Sequence, residues 1–203
     1  MIHRALTSIS YVFHPLIMPF LGVGLFFLKS PTFIPEHIVY AKLLSLFILI
    51  FVLPILLFFL LKIIGKANSV HLESTQERII PLGIYCIILM LVIQRVLPSN
   101  QIMELYYFFL GILISSLSCL IMVVLRVKAS IHMIAVSGVF MFFIVLSIHF
   151  SININGVLAF MSIVTGAVAT SRLHLKVHNY KEILLGFFIG VTPQLILVNN
   201  WLL

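Results

Sequence analysis

The chain has 203 residues, of which 63% are apolar and 8% charged, with a mean hydropathy of +1.28. A water-soluble globule of this size cannot hide so much apolar side chain, which excludes a soluble enzyme, a nucleic-acid-binding module or a disordered tail as a whole-chain reading. Twelve Lys and Arg stand against five acidic residues, all Glu, for a net charge of +7; in a membrane protein the nearest anionic partner is lipid headgroup.

Apolar runs near the length of a bilayer crossing succeed one another along the chain. They predict spans over 11–28, 43–64, 79–97, 105–125, 131–150, 157–170 and 183–203. The expected fold is all-α, a polytopic helix bundle of seven membrane-spanning helices, or six if the first run lies in the interface or re-enters. That first run is too long for a signal-peptide core and lacks a small-residue cleavage site, so it reads as a retained span. Pro54 is expected to kink the second span. Cys86 and Cys119 sit in apolar runs and read as buried small hydrophobes. With no internal repeat and no low-complexity stretch, residues 1–203 read as one integral membrane domain.

The charges fall mainly in the connections. With seven spans, nine of the twelve basic residues share one face: Arg4, Lys62, Lys66, Arg78, Arg126, Lys128, Arg172, Lys176 and Lys181. The positive-inside rule directs that face to the cytoplasm. His14, Arg95, Glu104 and His149 read as interfacial residues.

Three polar segments emerge on the basic face: 71–81, which contains Arg78 and Pro81; 126–132, which contains Lys128, Ser130 and His132; and 171–182, which contains Ser171, Arg172, His174, His178 and Glu182. On a helix His178 and Glu182 would share a face one turn apart. The carboxylate could then hold one imidazole nitrogen and leave the other free as a base or nucleophile. Arg172 offers a planar cationic fork suited to phosphate oxygens. His132 could serve as a general acid, with Lys128 and the Ser130 hydroxyl binding phosphate. A competing arrangement is a metal-binding stripe of His174, His178 and Glu182 spaced i, i+4, i+8 on one helix.

Ser171-Arg172-x5-His178-x3-Glu182 resembles the third signature of the type 2 phosphatidic acid phosphatase superfamily, Ser-Arg-x5-His-x3-Asp, with Glu in place of Asp. Ala129-Ser130-Ile131-His132 resembles the second signature, Pro-Ser-Gly-His, keeping Ser and His. The first, Lys-x6-Arg-Pro, is met by Arg78, with Pro81 two residues late and His71 where Lys would stand; Lys66, His71 or Lys128 could substitute. The resemblance spans about residues 66–190.

It implies an integral phosphatase of the inner or plasma membrane that hydrolyses a lipid phosphate or polyprenyl diphosphate without metal or cofactor. His178 would form a phosphohistidine, Glu182 would orient it, and His132 would protonate the leaving group and then activate water. Arg78, Arg172, Ser130 and Lys128 would hold the phosphoryl oxygens. The alternatives from another class are a small transporter or flippase, or a catalytically degenerate lipid-binding protein. Transporters tend to place ionisable groups near the bilayer midplane, whereas here they gather at one face.

Overall fold

A computed structural model describes residues 2–65 and 76–201. Lys66 and His71 lie outside the described residues. All regular structure among the described residues is helical, as a chain that must satisfy its backbone inside lipid requires. Among the described residues, six helices are long and apolar enough to cross a membrane. Large apolar side chains on them face outward, Ile63 and Ile163 among the most exposed.

The chain packs as two compact units, one made of Met1–Phe33 with Ala129–Leu203, the other of Ile34–Lys128. In the first unit α1 (Ile2–Val12) and α2 (Met18–Lys29) precede α7 (Ile131–His149), α8 (Asn155–His174) and α9 (Tyr180–Leu197). The second holds α3 (Glu36–Leu46), α4 (Leu53–Ile63), α5 (Ile79–Leu91) and α6 (Met103–Val124).

The expected first span is corrected. Residues 11–28 do not form one helix, because the chain breaks at His14–Pro15, where the residue before proline is pushed out of the α region. The helix beyond the break, α2, has 12 residues and rises only about 18 Å, short of a bilayer crossing. The second expected span instead begins earlier, at Glu36. It runs through α3, a π-helical stretch Phe47–Val52, and α4. The π-helical widening ends beside Pro54, which cannot donate a backbone hydrogen bond.

Polar Lys42 hides this early start in the sequence. It is buried in the second unit, and its ammonium donates to the Val96 carbonyl at 2.6 Å and to Gln101 Oε1 at 2.7 Å. Val96 ends a π-helical stretch, Val92–Val96, that prolongs α5, so a lysine on one span neutralises the open carbonyl end of another. Cys86 and Cys119 are both buried free thiols in this unit.

The first unit is organised by α7 and α9, which run parallel in very close contact. Ser130 N–H donates to the Glu182 carbonyl at 3.2 Å, and further along Ser137 Oγ donates to the Phe187 carbonyl at 3.1 Å. The approach is possible because Gly186 and Gly190, four apart on α9, present no side chain. A Cβ on Gly186 would lie 2.7 Å from the Ser130 carbonyl oxygen, and one on Gly190 would collide with Ser137 Oγ and the Ile134 carbonyl. At the far end, Trp201 packs on Phe142 and His149. His149 is thereby an aromatic contact of the first unit.

Candidate functional site

The first unit gathers the chemistry-bearing residues where α7 and α9 begin and α8 ends. α8 closes with Lys176 in the left-handed region at φ 55°, its N–H bonding the Leu173 carbonyl at 3.0 Å. This reversal lets five residues, 175–179, connect α8 to α9, and it puts His178 immediately before the N-cap.

Asn179 caps α9, its Oδ1 accepting from Glu182 N–H at 3.0 Å. The same amide donates from Nδ2 to Glu182 Oε1 at 3.1 Å. With Oε1 so held, Oε2 lies 2.5 Å from His178 Nδ1. A carboxylate in the first turn of a helix is also favoured by the positive end of the helix dipole. His178 is buried, its side chain only 3% exposed, against 19% for Glu182. The pair expected between these two residues is therefore formed, although His178 stands outside the helix, one residue before its N-cap.

The metal-binding stripe is corrected by the same geometry. His174 is the last residue of α8, His178 lies in the connection and Glu182 is in α9, so the three do not share one helix face. Among the described residues no group of three His, Cys, Asp or Glu is arranged to hold a metal ion.

Ser130 and His132 stand at the head of α7. Ser130 is fully buried, and its hydroxyl caps the helix by accepting from Met133 N–H at 3.4 Å. Its N–H meanwhile ties α7 to Glu182. The serine expected to bind phosphate thus serves the backbone.

His132 Nε2 is 3.2 Å from the Ser10 carbonyl, which can only accept, so Nε2 carries the proton and Nδ1 the lone pair. Arg172, His14 and His178 all lie within electrostatic range of this imidazole. Arg172, in the last turn of α8, reaches Ser10 Oγ with Nη1 in a long contact of 3.5 Å. Among the sequence-predicted residues, the first unit brings His132, Ser130, Arg172, His178 and Glu182 together.

Arg78 and Lys128 belong to the second unit. Arg78 ends the 3-10 turn Gln76–Arg78 before α5, is 6% exposed, and lies within electrostatic range of Cys119 on α6. Lys128 is half-buried in the segment between α6 and α7.

Two residues of the cluster come from a part of the chain that carries no motif. Ser10 on α1 touches both His132 and Arg172. His14, which reads as interfacial in the sequence, sets its ring edge against His132 at a centroid distance of 5.6 Å. It lies outside the six spans. Burial, helped by the neighbouring Arg172 charge, pushes its pKa below the ordinary histidine value. Asn179 carried a readable signal, Asn-x-x-Glu ahead of an apolar run, which is a capping pattern. Ser10 and His14 had none, because their contacts are more than a hundred residues away in sequence. No protein-family model, no curated protein and no solved structure matches the chain.

Proposed function

We propose that this chain is a phosphatase of the inner or plasma membrane that removes phosphate from a lipid phosphate or polyprenyl diphosphate through a phosphohistidine. The observation that carries the reading is the buried His178–Glu182 pair, with Nδ1 2.5 Å from a carboxylate that is itself held by Asn179. A carboxylate on Nδ1 fixes the tautomer, leaves the Nε2 lone pair for attack and stabilises the cation that forms when phosphorus is bound.

In the first step His178 Nε2 bonds to phosphorus as the bond to the leaving oxygen breaks, and that oxygen takes a proton from the doubly protonated, cationic form of His132, which is left as the neutral imidazole. In the second, His132 takes a proton from water, the hydroxide attacks phosphorus, the P–N bond breaks and inorganic phosphate departs. Arg172 supplies the charge that steadies the phosphoryl oxygens, in keeping with a reaction driven by positioning and electrostatics. The resemblance of the 171–182 segment to the phosphatase signature and the gathering of His132 and Arg172 beside it support the same reading.

The test is inorganic phosphate release from a panel of phosphatidic acid, phosphatidylglycerophosphate, polyprenyl diphosphate and phosphorylated lipid A, run with and without EDTA. Release from at least one substrate, retained in EDTA and abolished by His178→Ala, is expected. Binding without release from any substrate would make the chain a lipid-binding protein instead.

A further inference from the structure

We infer that α1 is a latch that holds the site closed at rest, and that a phosphate monoester headgroup must displace it before turnover. The inference deepens the phosphatase reading and rests on it for the ligand.

α1 has 11 residues, about 16 Å of helix, too short to cross a bilayer. It lies antiparallel to α8, from the site end at His174 back to Phe160. His3 meets His174 at a ring distance of 5.9 Å, Ser171 Oγ donates to the Leu6 carbonyl at 2.6 Å, and Phe13 packs on Phe160. Because the single proton of the Ser171 hydroxyl goes to Leu6, the 2.7 Å bond between the two serine hydroxyls must use the Ser10 proton. The lone pairs of Ser10 Oγ then face Arg172 Nη1. A directed chain results, from Arg172 through Ser10 and Ser171 to the Leu6 carbonyl. Ser10 also takes the His132 Nε2 proton on its carbonyl. One residue of α1 thus engages both the cation that would bind phosphate and the imidazole that would protonate the leaving oxygen.

The latch is built to yield. The bonds to Ser10 are made with a neutral hydroxyl and a carbonyl, and the Arg172 contact is long at 3.5 Å. A phosphate dianion offers Arg172 a bidentate, charge-assisted contact, roughly twice as strong as a neutral bond. The helix also ends at a natural hinge, since the chain leaves α1 through the non-helical residue His14, followed by Pro15. Occupation of Arg172 by phosphate removes the hold on Ser10 Oγ, and His132 is released with the same residue.

The experiment uses the full chain in nanodiscs, with Cys86→Ala and Cys119→Ala to remove the native thiols. Spin labels are attached at His3→Cys and His174→Cys, both exposed positions. At rest the spectrum should show strong dipolar broadening. Phosphatidic acid in the disc should abolish most of it, and phosphatidylcholine alone should not. A parallel arm with inorganic phosphate separates the headgroup from the tail: loss in both arms makes phosphate itself the opener, and loss only with the lipid adds the tail. Ser10→Ala should lose part of the broadening without any ligand and lower KM about threefold at unchanged kcat, whereas Ser10→Thr should behave like the parent.

Broadening that persists in saturating phosphatidic acid while phosphate is released overturns the latch and leaves the phosphatase. Broadening lost without phosphate release keeps the latch and removes the hydrolytic reading. Opening by phosphatidylcholine alone overturns the phosphate-driven latch. Broadening unmoved by lipid and by Ser10→Ala overturns it as well.

Discussion

Gly186→Ala tests whether the close pairing of α7 and α9 is what assembles the site. The new methyl would sit 2.7 Å from the Ser130 carbonyl oxygen and 3.1 Å from Met133 Cβ. An ordinary contact begins at 3.4 Å, so the helices must separate by about 0.7 Å at this level. The obstacle is backbone, which no rotamer change can move aside. A separation of that size stretches the 3.2 Å bond from Ser130 N–H to the Glu182 carbonyl to about 3.9 Å, beyond useful hydrogen-bonding range. Overpacking of this kind costs about 1–3 kcal/mol, and the lost bond about 1 kcal/mol more. It also shifts His132 away from His178 by most of an ångström, and misplacement of about 1 Å can cost on the order of 100-fold in rate.

Thermal unfolding in detergent by circular dichroism, alongside phosphate release, reads both effects. Gly166→Ala on α8 is the control: a Cβ there meets nothing within 4 Å, so its stability should be unchanged or raised by up to about 1 kcal/mol. A Gly186→Ala protein with parental stability and turnover would show that glycine-mediated contact does not hold this site together.

Asn179→Ala removes both the cap of α9 and the clamp on Glu182 Oε1, at a cost of about 1 kcal/mol in stability and a larger loss in kcat than in KM; Asn179→Ser, measured in parallel, should restore the stability but not the rate. Folded His14 has a pKa below the unfolded value of 6.5, and Arg172 and His132 are the groups that face it. Its contribution to stability is therefore complete above pH 6.5 and declines as pH falls below it, because the unfolded chain takes up the proton first. A scan of Tm against pH should show that acid-side decline, flattened in His14→Gln. Lys42→Met keeps the apolar stem but leaves the Val96 carbonyl and Gln101 Oε1 without the ammonium, and denaturation in detergent should register a loss of about 1–3 kcal/mol.

How much of the molecule is legible in its sequence depends on which interactions are local. Six of the expected spans, 43–64 and the five from 79–97 onward, coincide with long helices because an apolar run in lipid has no other way to satisfy its backbone. The first span failed at His14–Pro15, a two-residue breaker inside an otherwise uniform apolar run. The start of α3 was hidden because Lys42 finds its partners on residues 96 and 101, which no window around it contains. At the site, the His178–Glu182 pair was readable from spacing alone, since both residues belong to one turn of chain. Ser10 and His14 were not, because what brings them to His132 and Arg172 is the packing of α1 on α8. The GxxxG spacing of Gly186 and Gly190 was present in the sequence, but its partner surface on α7 becomes evident only once the two helices are seen side by side.

The most direct measurement is acid–base stability of label trapped on the chain after rapid quenching with radiolabelled substrate, using whichever lipid phosphate the panel identifies. A phosphohistidine predicts label that survives alkali, is lost in acid, maps to His178 and is absent from His178→Ala. Steady phosphate release with no trapped label, or with label that persists in His178→Ala, would contradict the account.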